Sequence, residues 1–160
     1  MKRIFFAAVL FFLSISSFAQ ERGASSKNEK QSHNIWVEAG IGVLKDGDVT
    51  TGYLGARYTK MFSEYIGYDF VKIGVSTYDV ESLSLEALTG LRGETPAFSG
   101  NIKGYANLGV GCCYFTDSEE ASLKIELGTG LKLSSRFSVG VVYSVFEDIE
   151  MAGVRLSFAF

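Results

Sequence analysis

Residues 123–133 read LKIELGTGLKL, and apolar and polar or small side chains alternate along this segment. Leu123, Ile125 and Leu127 fall on one face of an extended strand, while Lys124 and Glu126 fall on the other, because successive side chains of a strand point to opposite sides. A period of two predicts a half-buried β-strand and argues against an amphipathic helix, whose period is 3.6.

The same alternation appears in seven further segments between residue 34 and residue 160. Each repeat takes about 16 residues, which suits a tilted strand of roughly ten residues and a short connection. An even number of strands also lets the sheet close with both of its ends on one side. We therefore predict an all-β fold, an eight-stranded antiparallel up-and-down β-barrel over residues 34–160. In the third segment, alternation places Gly67, Asp69 and Val71 on the luminal face, but the phase blurs near Lys72, which suggests a β-bulge.

The composition agrees with this fold class. The chain has 160 residues with 18 Gly and one Pro, and 14% of its residues are aromatic, 47% hydrophobic and 21% charged. That charge excludes a bundle of membrane helices, and that hydrophobic content excludes a disordered chain. The net charge of −3 argues against a nucleic-acid-binding protein, which normally carries a basic patch.

The first 19 residues have the pattern of a cleaved secretory signal peptide. Lys2 and Arg3 precede an apolar run over residues 4–13, and the small residues Ser17 and Ala19 precede the expected cleavage point. This run is too short for a membrane-spanning helix, which needs about 20 apolar residues. Residues 20–33 are polar and unpatterned, and we expect a flexible segment there before the barrel domain at 34–160.

Alternation alone does not say which face of the barrel points inward. A lipocalin-like soluble barrel is apolar inside, whereas an outer-membrane barrel is apolar outside. Here the polar face is crowded with Gly and Ser, as a narrow eight-stranded lumen requires. The apolar face carries aromatic residues near its strand ends, where interfacial girdles belong; these are Tyr58, Phe62, Phe137, Phe158 and Phe160. We predict a transmembrane β-barrel and keep a soluble carrier of an apolar ligand as an alternative.

Charged side chains of both signs lie on the predicted luminal face. They are Glu38, Arg57, Asp69, Glu86, Arg92, Lys103, Lys124, Glu126, Lys132 and Arg155. Unpaired charge is costly to bury, so this mixture predicts an ion-paired network that plugs the lumen. A path for protons or ions is the alternative function of these residues.

The connections expected on the outer side of the membrane are strongly acidic. They hold Asp46, Asp48, Asp79, Glu81, Asp117, Glu119, Glu120, Glu147, Asp148 and Glu150, with Lys45 as the one base. The turns expected on the opposite side, at residues 63–64, 93–100 and 134–136, show no such bias. Such an acidic rim could recruit divalent cations that bridge to lipopolysaccharide phosphates or to a basic partner. The alternative is that these acids only keep hairpin tips solvated.

The last strand, VRLSFAF at residues 154–160, resembles the assembly signal of bacterial outer-membrane proteins through Val154, Leu156, Phe158 and the terminal Phe160. Over residues 34–160 the chain resembles the small OmpX/OmpA-type barrel superfamily. The segments LKIELGTGLKL and AGVRLSFAF are similar to the outer-membrane β-barrel domain chains of Bacteroidota. The resemblance implies the outer membrane of a Gram-negative cell as the location. It also implies contact with outer-membrane lipid, lipopolysaccharide and the barrel-assembly machinery.

The inventory of reactive residues favours a non-enzymatic role. His33 is the one histidine, and it falls in the polar segment that we expect before the first strand. Outer-membrane barrels that modify lipid A resemble one another in needing a His near a Ser or an acid, since a general base must reach the proton that it removes. No His/Cys spacing suggests a metal site or a cofactor. We predict a structural or surface-interaction barrel, with an envelope lipid-modifying enzyme as the alternative.

Cys112 and Cys113 are adjacent on one predicted strand, so their side chains should point to opposite faces. An oxidising compartment favours disulfides, but neighbours on an extended strand do not easily reach each other. We expect two small hydrophobic side chains, one facing lipid and one facing the lumen, and keep a vicinal disulfide as the alternative.

Overall fold

The computed structural model describes residues 33–45, 50–77, 83–147 and 149–160, and within them the chain forms eight strands. The strands are β1 (His33–Leu44), β2 (Thr50–Met61), β3 (Ile66–Thr77), β4 (Leu83–Glu94), β5 (Lys103–Phe115), β6 (Glu120–Lys132), β7 (Phe137–Phe146) and β8 (Ile149–Ala159). The predicted signal peptide and residues 20–32 of the polar segment lie outside the described residues. His33, which we expected before the barrel, is instead the first residue of β1 and pairs with Lys60 of β2. No helix among the described residues has the length and apolar character needed to cross a membrane.

Each strand pairs antiparallel with the next one in the chain, and β8 pairs with β1 to close the barrel. Closure brings Trp36 opposite Ala159 and Leu44 opposite Met151. The predicted fold class, an all-β, eight-stranded up-and-down barrel, is therefore confirmed. The acidic connections β1–β2, β3–β4, β5–β6 and β7–β8 share one end, which we call the rim. The three other connections and the start of β1 share the opposite end, which we call the base.

The barrel is apolar outside and charged inside. Leu123 and Ile41 on the outward face are 64% and 70% exposed, whereas Lys124 and Glu126 on the inward face are 0% and 1% exposed. A water-soluble barrel has the opposite arrangement, since an apolar exterior of this extent would associate in water. The exterior therefore has the character of a transmembrane barrel, and the charged interior excludes a lipocalin-like apolar cavity.

A β-bulge interrupts β3 between Asp69 and Lys72, as the blurred phase near Lys72 suggested. Both of these residues are buried inside the barrel, and the two residues between them, Phe70 and Val71, both face outward. The prediction that Val71 faces the lumen is therefore wrong, because an extra residue reverses the phase of a strand. Thr89 on β4 covers the bulge by donating a hydrogen bond of 2.9 Å to the Asp69 carbonyl oxygen.

The turn between β4 and β5 also differs from expectation. We predicted a turn over residues 93–100, but β4 continues to Glu94 and β5 begins at Lys103. Thr95 closes this turn, since its amide donates to the Gly104 carbonyl at 2.8 Å and its hydroxyl accepts from the Gly104 amide at 2.8 Å. The longer strand places the Glu94 carboxylate inside the lumen.

Pairs of glycines make room for the two large tyrosines of the lumen. A methyl group at Gly55 or Gly74 would collide with the side chain of Tyr53, and one at Gly130 or Gly140 would collide with Tyr105. Four residues without side chains thus provide the space into which two aromatic rings fit. This packing accounts for four of the inward-facing glycines.

Gly140→Ala should lower the free energy of unfolding by about 1–3 kcal/mol, because the added methyl would collide with the Tyr105 hydroxyl and the Thr129 carbonyl. Urea unfolding in lipid vesicles measures the change. Adding Tyr105→Phe should restore part of the loss by removing one of the two colliding atoms.

Gly109→Ala is the matched control, because its methyl would meet its nearest neighbour at an ordinary 3.6 Å. Removing a glycine at such a position stabilises by about 0.4–1 kcal/mol through the unfolded chain. Equal effects of the two alanine substitutions would contradict the packing described here.

Candidate functional site: the charged lumen and the acidic rim

Four charged residues from four strands form an alternating ring across the middle of the lumen. Glu38 on β1 and Glu126 on β6 each interact with both Lys72 on β3 and Arg155 on β8. Arg155 lies 2.9 Å from Glu126 and 3.7 Å from Glu38, and Lys72 lies 3.7 Å from Glu38 and bonds directly to Glu126. This ring, the central ring, ties opposite walls of the barrel together.

Arg57 extends the central ring towards the base. Its Nη1 lies 3.0 Å from Glu38 Oε1, and its Nε lies 3.6 Å from Asp69 Oδ1. Thr59 also donates a hydrogen bond of 2.6 Å to the same Asp69 oxygen. The central ring with Arg57 and Asp69 contains three cations and three carboxylates, so this layer is electrically balanced.

A second pair and an apolar cluster close the lumen towards the rim. Lys124 lies 2.6 Å from Glu86, which also accepts a hydrogen bond of 2.5 Å from Ser76. Beyond this pair, Cys113, Phe146 and Met151 pack into a buried cluster, with Leu44 and Phe115 against it. Water and ions on the rim side therefore meet an apolar barrier before they meet the charges.

A third group, which we call the basal cluster, lies near the opening at the base. Glu94 interacts with Arg92 at 3.1 Å and with Lys132 at 3.3 Å. The Trp36 ring has three cations around it, with the Arg57, Arg92 and Lys132 charges 5.5–5.7 Å from the ring centroid. The Arg92 guanidinium also lies 4.2 Å from the Tyr105 ring centroid, within the range of a cation–π contact.

The structure places nine of the ten predicted luminal charges inside the lumen and in ion pairs, and Lys103 at its opening. Lys103 is 3.9 Å from the half-exposed Glu64. Sequence analysis missed Lys72 and Glu94, which complete the central ring and the basal cluster. The blurred phase near Lys72 was the available signal for the first, and no sequence signal located the end of β4.

The paired charged side chains fill the lumen and hold one another in place. An ion pair in a low-dielectric interior offsets the cost of burial only when each charge keeps its partner. Among the described residues, no group of three or more His, Cys, Asp or Glu side chains could hold a metal ion. The chemistry that this interior favours is mutual neutralisation across the barrel.

At the rim, the structure describes half of the predicted acids. Glu150 binds Lys45 at 2.7 Å and accepts a hydrogen bond from Tyr143, and Glu147 accepts one of 2.6 Å from Ser122. Asp117, Glu119 and Glu120 are exposed at the β5–β6 connection. The predicted rim residues that lie outside the described part of the chain are Asp46, Asp48, Asp79, Glu81 and Asp148.

Two further sets of residues take the faces expected from the sequence. The Cys112 side chain is exposed on the outward face, the Cys113 side chain is buried in the lumen, and both thiols are free. The side chains proposed as an assembly signal face outward on β8 and at the chain's last residue; they are Val154, Leu156, Phe158 and Phe160.

Comparison with solved structures identifies similar barrels. The outer membrane enzyme PagL aligns with a TM-score of 0.64 and 18% identity, over 77% of this chain and 98% of that one. The N-terminal barrel domain of Pseudomonas aeruginosa OprF gives 0.52 and 14%, over 82% and 100% of the two chains. The attachment invasion locus protein Ail of Yersinia pestis, solved with the heparin analogue sucrose octasulfate, gives 0.50 and 14% over the same shares.

No family model and no curated protein matches the sequence. At these identities the structural similarity shows the fold and leaves the activity of this chain to be argued from its own residues.

Glu126→Gln tests the central ring, because it removes the charge that Lys72 and Arg155 share. Leaving buried cations without their carboxylate partner should lower the free energy of unfolding by about 3–5 kcal/mol. Urea unfolding in vesicles provides the measurement. Adding Lys72→Met to this variant should recover part of the loss, since it removes one stranded charge.

Glu119→Gln, at the exposed rim, is the matched control and should change stability by less than about 0.5 kcal/mol. If Glu126→Gln changed the free energy of unfolding by a similarly small amount, the central ring would not stabilise the barrel.

Proposed function

We propose that this chain is a bacterial outer-membrane barrel with a structural or surface-interaction role, and that it is not an enzyme. The observation that carries the proposal is the inverted barrel, which is apolar outside and filled with cross-barrel ion pairs inside. The apolar exterior matches lipid, and the similarity in fold to outer-membrane barrels such as PagL and OprF supports the same location. The base then faces the periplasm and the rim faces the outside.

The interior supports a closed barrel. Ion pairs cross the lumen at three levels, and the cluster of Cys113, Phe146 and Met151 covers the side towards the rim. An eight-stranded barrel is just wide enough for its own side chains, so a continuous water channel has no room. We therefore propose a barrel that presents a surface and passes no ions.

The outward face supports a non-enzymatic role. Among the described strands, Glu150 of β8 is an outward-facing carboxylate, and it already pairs with Lys45 and accepts a hydrogen bond from Tyr143. A general base needs a carboxylate that is available to take a proton from its substrate, which argues against this role for Glu150. PagL is named as an enzyme, but its likeness to this chain concerns the fold.

The acidic rim is the surface we propose for interaction. Divalent cations held by its carboxylates could bridge to the phosphates of lipopolysaccharide, because cations of this kind prefer oxygen ligands. A basic partner would be attracted by the same charge. The last strand, with its alternating apolar residues, is the segment we propose for recognition by the barrel-assembly machinery.

Membrane fractionation and planar-bilayer recording test the proposal together. We expect the protein in the outer-membrane fraction, with heat-modifiable migration on gels, and no steady conductance in bilayers. Recovery in the soluble fraction, or stable openings on the nanosiemens scale, would refute it. A deletion strain with altered lipid A in mass spectrometry would favour the enzyme instead.

Calcium binding tests whether the rim is a site for divalent cations. Ca²⁺ should raise the melting temperature of the barrel in detergent more than Na⁺ does at equal ionic strength, because carboxylates that repel one another gain a shared cation. The triple variant Asp117→Asn, Glu119→Gln, Glu120→Gln should lose part of this difference. Glu64→Gln at the base is the control and should keep it. An identical response to both ions would remove the rim as a cation site.

A further inference from the structure

The three layers of luminal charge are not equally balanced. The central ring with Arg57 and Asp69 has as many carboxylates as cations, and so has the Lys124–Glu86 pair. The basal cluster has two cations, Arg92 and Lys132, and the single carboxylate of Glu94. Among the described luminal residues, the uncompensated charge is therefore positive and lies at the base.

The guanidinium of Arg92 marks where this charge is least satisfied. Its Nε bonds to Glu94, but its Nη1 and Nη2 are buried and have no hydrogen-bond partner in the described part of the chain. The residue is 1% exposed, so bulk water does not replace the missing partner. Buried donors of native proteins are normally paired, and a bound water or ion is one partner that the two Arg92 nitrogens could have.

The surroundings of Arg92 favour a small anion as its missing partner over the carboxylate of another side chain. The Tyr105 ring lies against the guanidinium, and Trp36 lies 5.7 Å from it, so aromatic rings occupy space beside its faces. Its in-plane N–H groups remain as donors. Ser138, the cross-strand neighbour of Lys132, adds a fully buried hydroxyl without a partner in the same layer.

From these observations we infer that the basal cluster binds one small monovalent anion of the halide class, held by Arg92 and Lys132 beside Trp36. One such ion neutralises the excess charge and accepts the unpaired Arg92 donors. Lys132 and Lys103 are partly exposed at the base, which gives an ion a route into the site from that side. The inference concerns an ion inside the barrel and does not depend on the role proposed for its surface.

The fluorescence of Trp36 reports on anion binding, because Trp36 is the one tryptophan of the chain and lies inside the proposed site. The protein, refolded in detergent micelles, is titrated with iodide at constant ionic strength, with gluconate as the balancing anion. Iodide bound at the site should quench Trp36 fluorescence with saturation, and chloride should reverse the quenching by competition. Acrylamide, a neutral quencher, reports the bare accessibility of the ring and should show no saturation.

Three variants locate the ion. Arg92→Gln should weaken iodide binding about tenfold, the effect expected from the loss of a charge-assisted contact. Glu94→Gln should tighten it, because it removes the carboxylate that competes for the same cations. Lys60→Gln, a cation on the outer wall near Phe62, is the control and should leave the affinity unchanged.

Heat-modifiable migration on gels shows which variants fold. If Arg92→Gln does not fold, the iodide titration of the wild-type protein alone tests whether the site binds an anion. Absent quenching overturns the inference, and so does quenching that neither saturates nor responds to chloride. Saturable quenching that is equal in wild type and Arg92→Gln overturns it as well, because the ion would then bind elsewhere near Trp36.

Discussion

The alternating ring of Glu38, Lys72, Glu126 and Arg155 is the constraint on which the rest of this barrel depends. Charges inside a membrane protein are tolerated only when each finds a partner, since unpaired burial costs several kcal/mol per ion. The four residues come from β1, β3, β6 and β8, so they meet only if the sheet closes. Closure of the sheet brings these charges together, and their ion pairs in turn stabilise the closed sheet. Opening the sheet would leave the charges unpaired, and removing the pairs would weaken closure.

Four of the glycine positions are tied to the same layers of charge. The central ring and the basal cluster need large side chains, and Tyr53 and Tyr105 lie against their cations. A narrow lumen can hold those rings only where the opposing backbone carries no side chain. Gly55 and Gly74 make that space for Tyr53, and Gly130 and Gly140 make it for Tyr105. The tyrosines in turn place aromatic faces against Arg155 and Arg92, which adds cation–π stabilisation to these two buried cations.

The periodicity of the sequence was sufficient to predict the barrel, its strand count and its inverted polarity, because period-two alternation leaves little freedom about which residues share a face. It failed at Val71 and Lys72, where one inserted residue reverses the phase of β3. It also failed at Glu94, because the end of β4 is set by hydrogen bonds of Thr95 and not by any change in hydrophobicity. The pairing of charges could not be read from the sequence at all. Partners such as Lys72 and Glu126 lie on strands that are not neighbours in the sheet and meet only across the lumen.

The uneven layering of the lumen has an electrical consequence for the whole molecule. The described acids of the rim, among them Asp117, Glu119 and Glu120, lie at one end of the barrel, and the excess cations of the basal cluster lie near the other. Among the described residues, charge is therefore separated along the barrel axis, as in a dipole with its negative end at the rim. Copies inserted in one direction hold these dipoles parallel, and parallel dipoles side by side repel.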